Sequence, residues 1–171
     1  MQTDDPAFEG VPLGRSLEEL TTPRPRLMPP VEIFDGMLLE IESSLRRSVP
    51  EEIRKRIGVT RNVAVYGAFC YDFFTVSVYW SFTCIDMALW EKFLELNPGK
   101  RHQRLTLGPL LNWASQQRLL PPDLPPDAIR KLRNSFAHPK EFDLLVAPGM
   151  AVDVFVKTVE IVNHLWPLGL G

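Results

Sequence analysis

The segment from Asn62 to Leu96 contains no proline and is apolar on almost every side of the helix that it would form. Such a helix must be buried, either in the middle of a helical bundle or in a membrane. Asp72 and Asp86 leave only 13 residues between them, which is short of the roughly 20 needed to cross a bilayer. The segment therefore predicts one continuous central helix of a bundle and no membrane span.

Shorter helices are predicted on both sides of this segment. Apolar residues recur at three- and four-residue steps from Val31, and this helix is expected to end near Ser48. Pro50 and the two acids after it open a short helix that Gly58 is expected to close. The remaining predicted helices run from Leu107 to before Pro121, from a capping Asp127 to about His138, and from about Pro148 to Trp166.

The fold class predicted is all-α, an up-and-down helical bundle of five or six helices over residues 31–168. A chain of 171 residues with 45% apolar residues is long enough to bury one core. Residues 1–30 hold six prolines and mixed charges without an apolar period. They are therefore expected to form an extended or disordered N-terminal arm.

Cysteine usage and the chain start predict a reduced, cytoplasmic protein. On one continuous helix Cys70 and Cys84 would lie about 21 Å apart, too far for a disulfide. The first residues lack the basic and apolar regions of a signal peptide. No Cys/His cluster has metal-ligand spacing and no glycine-rich phosphate loop occurs, so no metal or cofactor is expected.

Positive charge is concentrated in one part of the chain. Residues 98–140 hold eight Lys/Arg and two Asp, a charge of about +6. Since the whole chain has a net charge of −2, the other residues together carry about −8. This asymmetry suggests one face suited to an anion, although a solvated helix surface would give the same count. The candidate anion-binding cations are Arg101, Arg104, Arg130, Lys131 and Lys140.

The hexapeptide Arg133-Asn134-Ser-Phe-Ala-His138 is the candidate catalytic motif. Arginine is a permanent cation that suits phosphate, and histidine can give and take a proton near neutral pH. On a helix Arg133 and His138 would lie about 140° and about 7.5 Å of rise apart, whereas Asn134 shares a face with His138. The alternative is structural: Arg133 pairs with a buried carboxylate and His138 caps the helix end.

The motif near the end of a penultimate helix resembles the HEPN superfamily of small α-helical domains, which occur in toxin–antitoxin, abortive-infection and other defence systems. Arg133, Asn134 and His138 match the family's Arg-polar-…-His signature, and the last helix, with Val159 to Trp166, is similar to the closing helix of bacterial members. The resemblance covers about residues 31–168.

The resemblance implies a metal-independent endoribonuclease in which two copies of the motif face each other across a homodimer cleft. His138 would transfer protons, Arg133 would hold the phosphate, and Asn134 would position the substrate or orient the histidine. Many members of the superfamily are inactive. The alternative is therefore a non-catalytic interaction module that binds RNA or a partner protein, such as a cognate antitoxin.

A polar stripe along the long helix is a second candidate feature. Its residues fall on one narrow face of a helix otherwise too apolar to meet water: Asp72, Thr75, Tyr79, Thr83 and Asp86. They could pair with Arg133 or Arg61, line a dimer seam, or form one wall of the RNA cleft with an aspartate orienting the motif. The other histidines are weaker candidates. His102 is expected in a solvated loop that could contact phosphate, and His164 on a solvent stripe.

Overall fold

The computed structural model describes residues 30–100, 105–137 and 146–167. Within these ranges the chain forms six α-helices and no strand, so the predicted all-α helical bundle is confirmed. The predicted arm lies outside them except for Pro30. The helices are α1 (Val31–Ser43), α2 (Glu51–Tyr66), α3 (Asp72–Leu96), α4 (Leu107–Gln116), α5 (Pro126–Ala137) and α6 (Pro148–Leu165), with a 3-10 turn at Pro98–Lys100.

Helix α3 is the centre of the bundle and packs against α2, α4, α5 and α6. It is long and apolar enough to cross a membrane by length and composition, but half of its most apolar window is buried inside the protein. One such helix is weak evidence for a membrane span, because the buried core helix of a helical bundle meets the same criteria. Its fully buried side chains include Phe74, Val78, Ala88 and Leu89.

Helices α1, α2 and α3 alternate in direction. Arg61 of α2 forms ion pairs with Asp35 (3.3 Å) and Glu42 (3.0 Å) of α1, and so joins the first two helices. The hydroxyl of Thr60 lies 3.3 Å from the buried Cys84 thiol of α3. Burial raises the pKa of that thiol, which keeps it in the neutral form.

The prediction of one continuous helix from Asn62 to Leu96 is wrong, because the chain turns between α2 and α3 at residues 67–71. A Cβ on Gly67 would stand 2.4 Å from Cε1 of the Phe74 ring, so only glycine allows this close approach. Cys70 accordingly lies in the turn and Cys84 in α3, not on one helix, and both are free.

Two predicted helix ends were also wrong. Gly58 lies inside α2, where its missing side chain leaves room for the Glu42 carboxylate: a Cβ would stand 2.9 Å from Glu42 Oε1. The first helix ends at Ser43 rather than near Ser48. There the hydroxyls of Ser43 and Ser44 donate to carbonyls one turn back, at 2.7 and 2.6 Å, and compete with the helical pattern.

The last helix has the predicted bounds to within a residue, and its end is fixed by two contacts. The backbone N–H of Arg46 donates to the Asn163 side chain and its guanidinium donates to the Asn163 carbonyl, both at 2.8 Å. The indole of Trp166 donates to Glu95 of α3 at 2.9 Å. The connection between α1 and α2 and the C-terminal end of α3 are thereby joined to the end of α6.

Candidate nucleic-acid cleft

Helix α5 is amphipathic and presents the motif arginine at the edge of its buried face. Pro126 is its first residue, a position that needs no N–H donor. Asp127 lies in the first turn and pairs with Arg130 at 2.9 Å, so it does not cap the helix as predicted. Ile129 and Phe136 are buried. Arg133 lies at the edge of this buried face and is half-buried.

The guanidinium-bearing side chain of Arg133 lines a cleft of about 390 Å³. One wall comes from the middle of α3 and another from the chain that enters α4. Phe82 is the apolar floor shared with the core, and its ring lies 6.1 Å from that of Phe136. The other lining residues are Tyr79, Thr83, Asp86, Leu105, Thr106 and Leu107.

The wall from α3 offers hydroxyl and carboxyl groups. Tyr79 is 46% exposed and lines the cleft. The Thr83 hydroxyl donates to the Tyr79 carbonyl at 3.2 Å, which leaves its oxygen lone pairs as acceptors. Asp86 is half-buried, and its Oδ1 is shielded from solvent. These groups suit the hydroxyls of a sugar more than a second anion.

The opposite wall is the start of α4. Thr106 precedes the helix in an extended conformation, is exposed, and makes no side-chain hydrogen bond that would cap the helix. The first amides of a helix have no partner within it, and they carry the positive end of the helix dipole. Together with Arg133, this end makes one side of the cleft electropositive and the α3 side acidic.

The cleft gathers some of the predicted site residues and not others. Arg133, Tyr79 and Asp86 line it together. Asn134 is exposed beside it, where its Oδ1 accepts a long 3.4 Å hydrogen bond from Arg133 Nη1. Asp72 lies at the start of α3, exposed, and does not line the cleft.

The two predicted RNA-binding cations that the structure describes do not line the cleft. Arg130 and Lys131 are exposed on α5, and Arg130 is engaged by Asp127. Arg61 pairs with α1 rather than with the polar stripe. His164 lines a separate cavity with Arg46 and Asp123. The residues that lie outside the described ranges are His138, Lys140, Arg101, His102 and Arg104.

Sequence reasoning missed Thr106 and the α4 start as a wall of the site. The available signal was a threonine directly before an apolar period, which is a common helix N-terminal pattern. Among the described residues, no group of three or more His, Cys, Asp or Glu side chains could hold a metal ion. Comparison with protein-family models, with curated proteins and with solved structures gives no match to this chain.

Proposed function

We propose that the protein is an RNA-binding helical domain that acts as a metal-independent endoribonuclease through Arg133, Asn134 and His138. The observation that carries this proposal is the cleft, where Arg133 meets hydroxyl and carboxyl groups on α3 and the uncapped start of α4. One nucleotide of single-stranded RNA offers the matching groups: an anionic phosphate and ribose hydroxyls. His138 follows the last described residue of α5, Ala137, directly in the sequence.

The chemistry would be attack of the ribose 2′-oxygen on the neighbouring phosphorus. A neutral His138 imidazole takes the 2′-OH proton, the O2′–P bond forms, and the P–O5′ bond breaks. A protonated imidazole, that of the partner subunit's His138, gives its proton to the leaving 5′-oxygen. The products are a 2′,3′-cyclic phosphate and a 5′-hydroxyl. Arg133 would bind the non-bridging oxygens on which charge develops.

A second copy is the partner that this reaction requires, and an exposed apolar face on α3 favours it. Phe73, Val76 and Tyr79 recur at three-residue steps and are 39–46% exposed. Tyr66 of α2 is 59% exposed, with its ring 6.1 Å from that of Phe73. These four residues are the α3 apolar face. Because Tyr79 belongs both to this face and to the cleft, pairing through it would bring two clefts together.

The same face also favours a second function, a non-catalytic module that binds a different protein such as an antitoxin. Light scattering on purified protein separates the two. A dimer that becomes a monomer in Val76→Asp, but not in Ile33→Asp, supports self-pairing. Ile33 is the matched control because it is apolar, 63% exposed and on α1. A monomeric parent protein would favour the module.

The test of catalysis is cleavage of mixed structured RNA by the purified protein in excess EDTA. Cleavage should leave 2′,3′-cyclic phosphate ends and be lost in His138→Ala, while His164→Ala cuts at the parent rate. Circular dichroism and thermal midpoints establish that the variants are folded. RNA binding that persists without cleavage in the parent would instead support the binding module. Cutting that survives His138→Ala would remove the proposed mechanism.

A further inference from the structure

A second cavity, of about 250 Å³, lies between α3, α5 and α6. Side chains from all three helices and from the connector before α5 form it, and they are almost all apolar. Asp153 and Lys157, one turn apart on α6, are the two charged groups that line it. The apolar lining residues are Phe82, Ile85, Leu124, Ala128, Ile129, Leu132, Met150, Val154 and Ile161.

The charges at the mouth of this cavity are not balanced. The Lys157 ammonium forms ion pairs with Glu160 at 2.7 Å and with Asp123 at 3.4 Å. Asp153 is exposed and has no ion-pair partner among the described residues. Two carboxylates therefore pair with the one ammonium, and Asp153, which lines the cavity, keeps a carboxylate that is unpaired within the described ranges.

We propose that this cavity binds a small cationic amphiphile, an aromatic or aliphatic amine whose apolar body fills the space and whose ammonium meets Asp153. The volume suits one ring and a short chain, since an apolar cavity of about 150 Å³ already holds benzene. Apolar walls favour burial of the body, and an unpaired carboxylate at the rim selects the positive head group. A carboxylate ligand would meet like charge there.

A ligand bound in the cavity would stabilise α5, the helix that carries Arg133. The consequence for the RNA cleft rests on the proposed function. Leu132 lines the cavity and Arg133 lines the cleft, so adjacent residues of α5 belong to the two spaces. Phe82 of α3 lines both. A ligand packed behind α5 adds contacts to a helix whose buried side chains, over residues 126–136, are only Ile129 and Phe136.

The test is calorimetric titration of the full chain with three matched probes: 3-phenylpropylamine, 3-phenylpropan-1-ol and 3-phenylpropionate. The amine should bind tightest and the acid weakest. Asp153→Asn should weaken the amine about fivefold and leave the alcohol unchanged, since an exposed charge pair contributes a factor of that order. Equal binding of the three probes, or no heat with any, would overturn the proposal.

A second variant tests the location independently of charge. Ala128→Leu places three more carbon atoms into the cavity and should abolish binding of amine and alcohol alike, whereas Ser135→Leu, also exposed on α5 but outside the cavity, should not. Amide hydrogen exchange in α5 should slow when the amine is bound. The titrations need no RNA, so they succeed or fail separately from the nuclease. Binding that survives Ala128→Leu would place the amine elsewhere.

Discussion

The indole N–H of Trp166 donates a hydrogen bond to the Glu95 carboxylate at 2.9 Å, and this contact joins the end of α6 to the end of α3. Lys92 completes the group. Its ammonium contacts the same carboxylate at 2.6 Å and stands 5.5 Å above the Trp166 ring. Hydrogen bonding, ion pairing and a cation–π contact thus meet at one point of the bundle.

Trp166→Phe should lower the free energy of unfolding by about 2 kcal/mol, because it leaves a void and removes the hydrogen bond to Glu95. Trp166 is only 6% exposed, so the void is not filled by solvent. Urea unfolding followed by circular dichroism measures the change. Trp80→Phe, at a half-buried tryptophan of α3, should cost less than half as much. Equal losses in the two variants would contradict the role given to this contact.

Glu95 should make the free energy of unfolding depend on pH in the acidic range. Burial raises the pKa of its carboxyl, but hydrogen bonds from Lys92 and Trp166 and the Lys92 charge together bring that pKa below its ordinary 4.5. A group with a depressed folded pKa stabilises the protein above its unfolded pKa, and the effect is lost as pH falls through the folded value.

The comparison that measures this is Glu95→Gln against the parent protein in urea titrations from pH 7 to pH 3. The difference in unfolding free energy should be full above pH 4.5 and shrink as the pH falls below it. Glu91→Gln is the control, since Glu91 is exposed one turn earlier on α3. A constant difference across this range would show that Glu95 does not act through its charge.

Two glycines should respond oppositely to alanine. Gly58→Ala should raise stability by up to about 1 kcal/mol, because alanine favours the helix and the Glu42 carboxylate in its way ends a flexible side chain. Gly67→Ala should lower stability by about 1–3 kcal/mol, since its Cβ would meet the fully buried Phe74 ring at 2.4 Å. Thermal and urea unfolding of both variants test this. Destabilisation by Gly58→Ala would mean that disturbing the Glu42–Arg61 ion pair costs more than the higher helix propensity of alanine contributes.

Arg133 should dominate phosphate recognition within α5. Arg133→Ala should weaken RNA binding about tenfold and reduce the slope of log affinity against log salt by about one. Arg133→Lys should restore the slope but not the affinity, because lysine keeps the charge and lacks the planar fork. Arg130→Ala is the matched control, an exposed arginine already paired with Asp127. Fluorescence anisotropy at several salt concentrations measures all three, and equal effects at Arg130 and Arg133 would indicate a diffuse basic surface.

Local pattern predicted the helices that end at clear signals. The last helix lies between Pro148 and Leu165, and α2 begins directly after Pro50, because proline and apolar period act within a few residues. The same pattern failed at Gly58 and Gly67. Glycine is read locally as a breaker, but at these positions its effect depends on Glu42 and Phe74, which lie elsewhere in the bundle.

The sequence by itself determined that the chain is all-α, that its longest apolar segment is central, and that its motif arginine lies on an amphipathic helix, since each follows from side-chain periodicity along the chain. Only the tertiary structure decided that Arg133 shares a cleft with Tyr79, Asp86 and Thr106, while Asp72 on the same stripe does not. The physical reason is packing: α5 meets α3 at its middle, where Phe82 lies against Phe136, and α4 also packs near the C-terminal end of α3, where Trp113 lies against Phe93. Asp72, at the opposite end of α3, lies outside the cleft. Which part of a helix is covered depends on how its neighbours cross it, and no local sequence period carries that information.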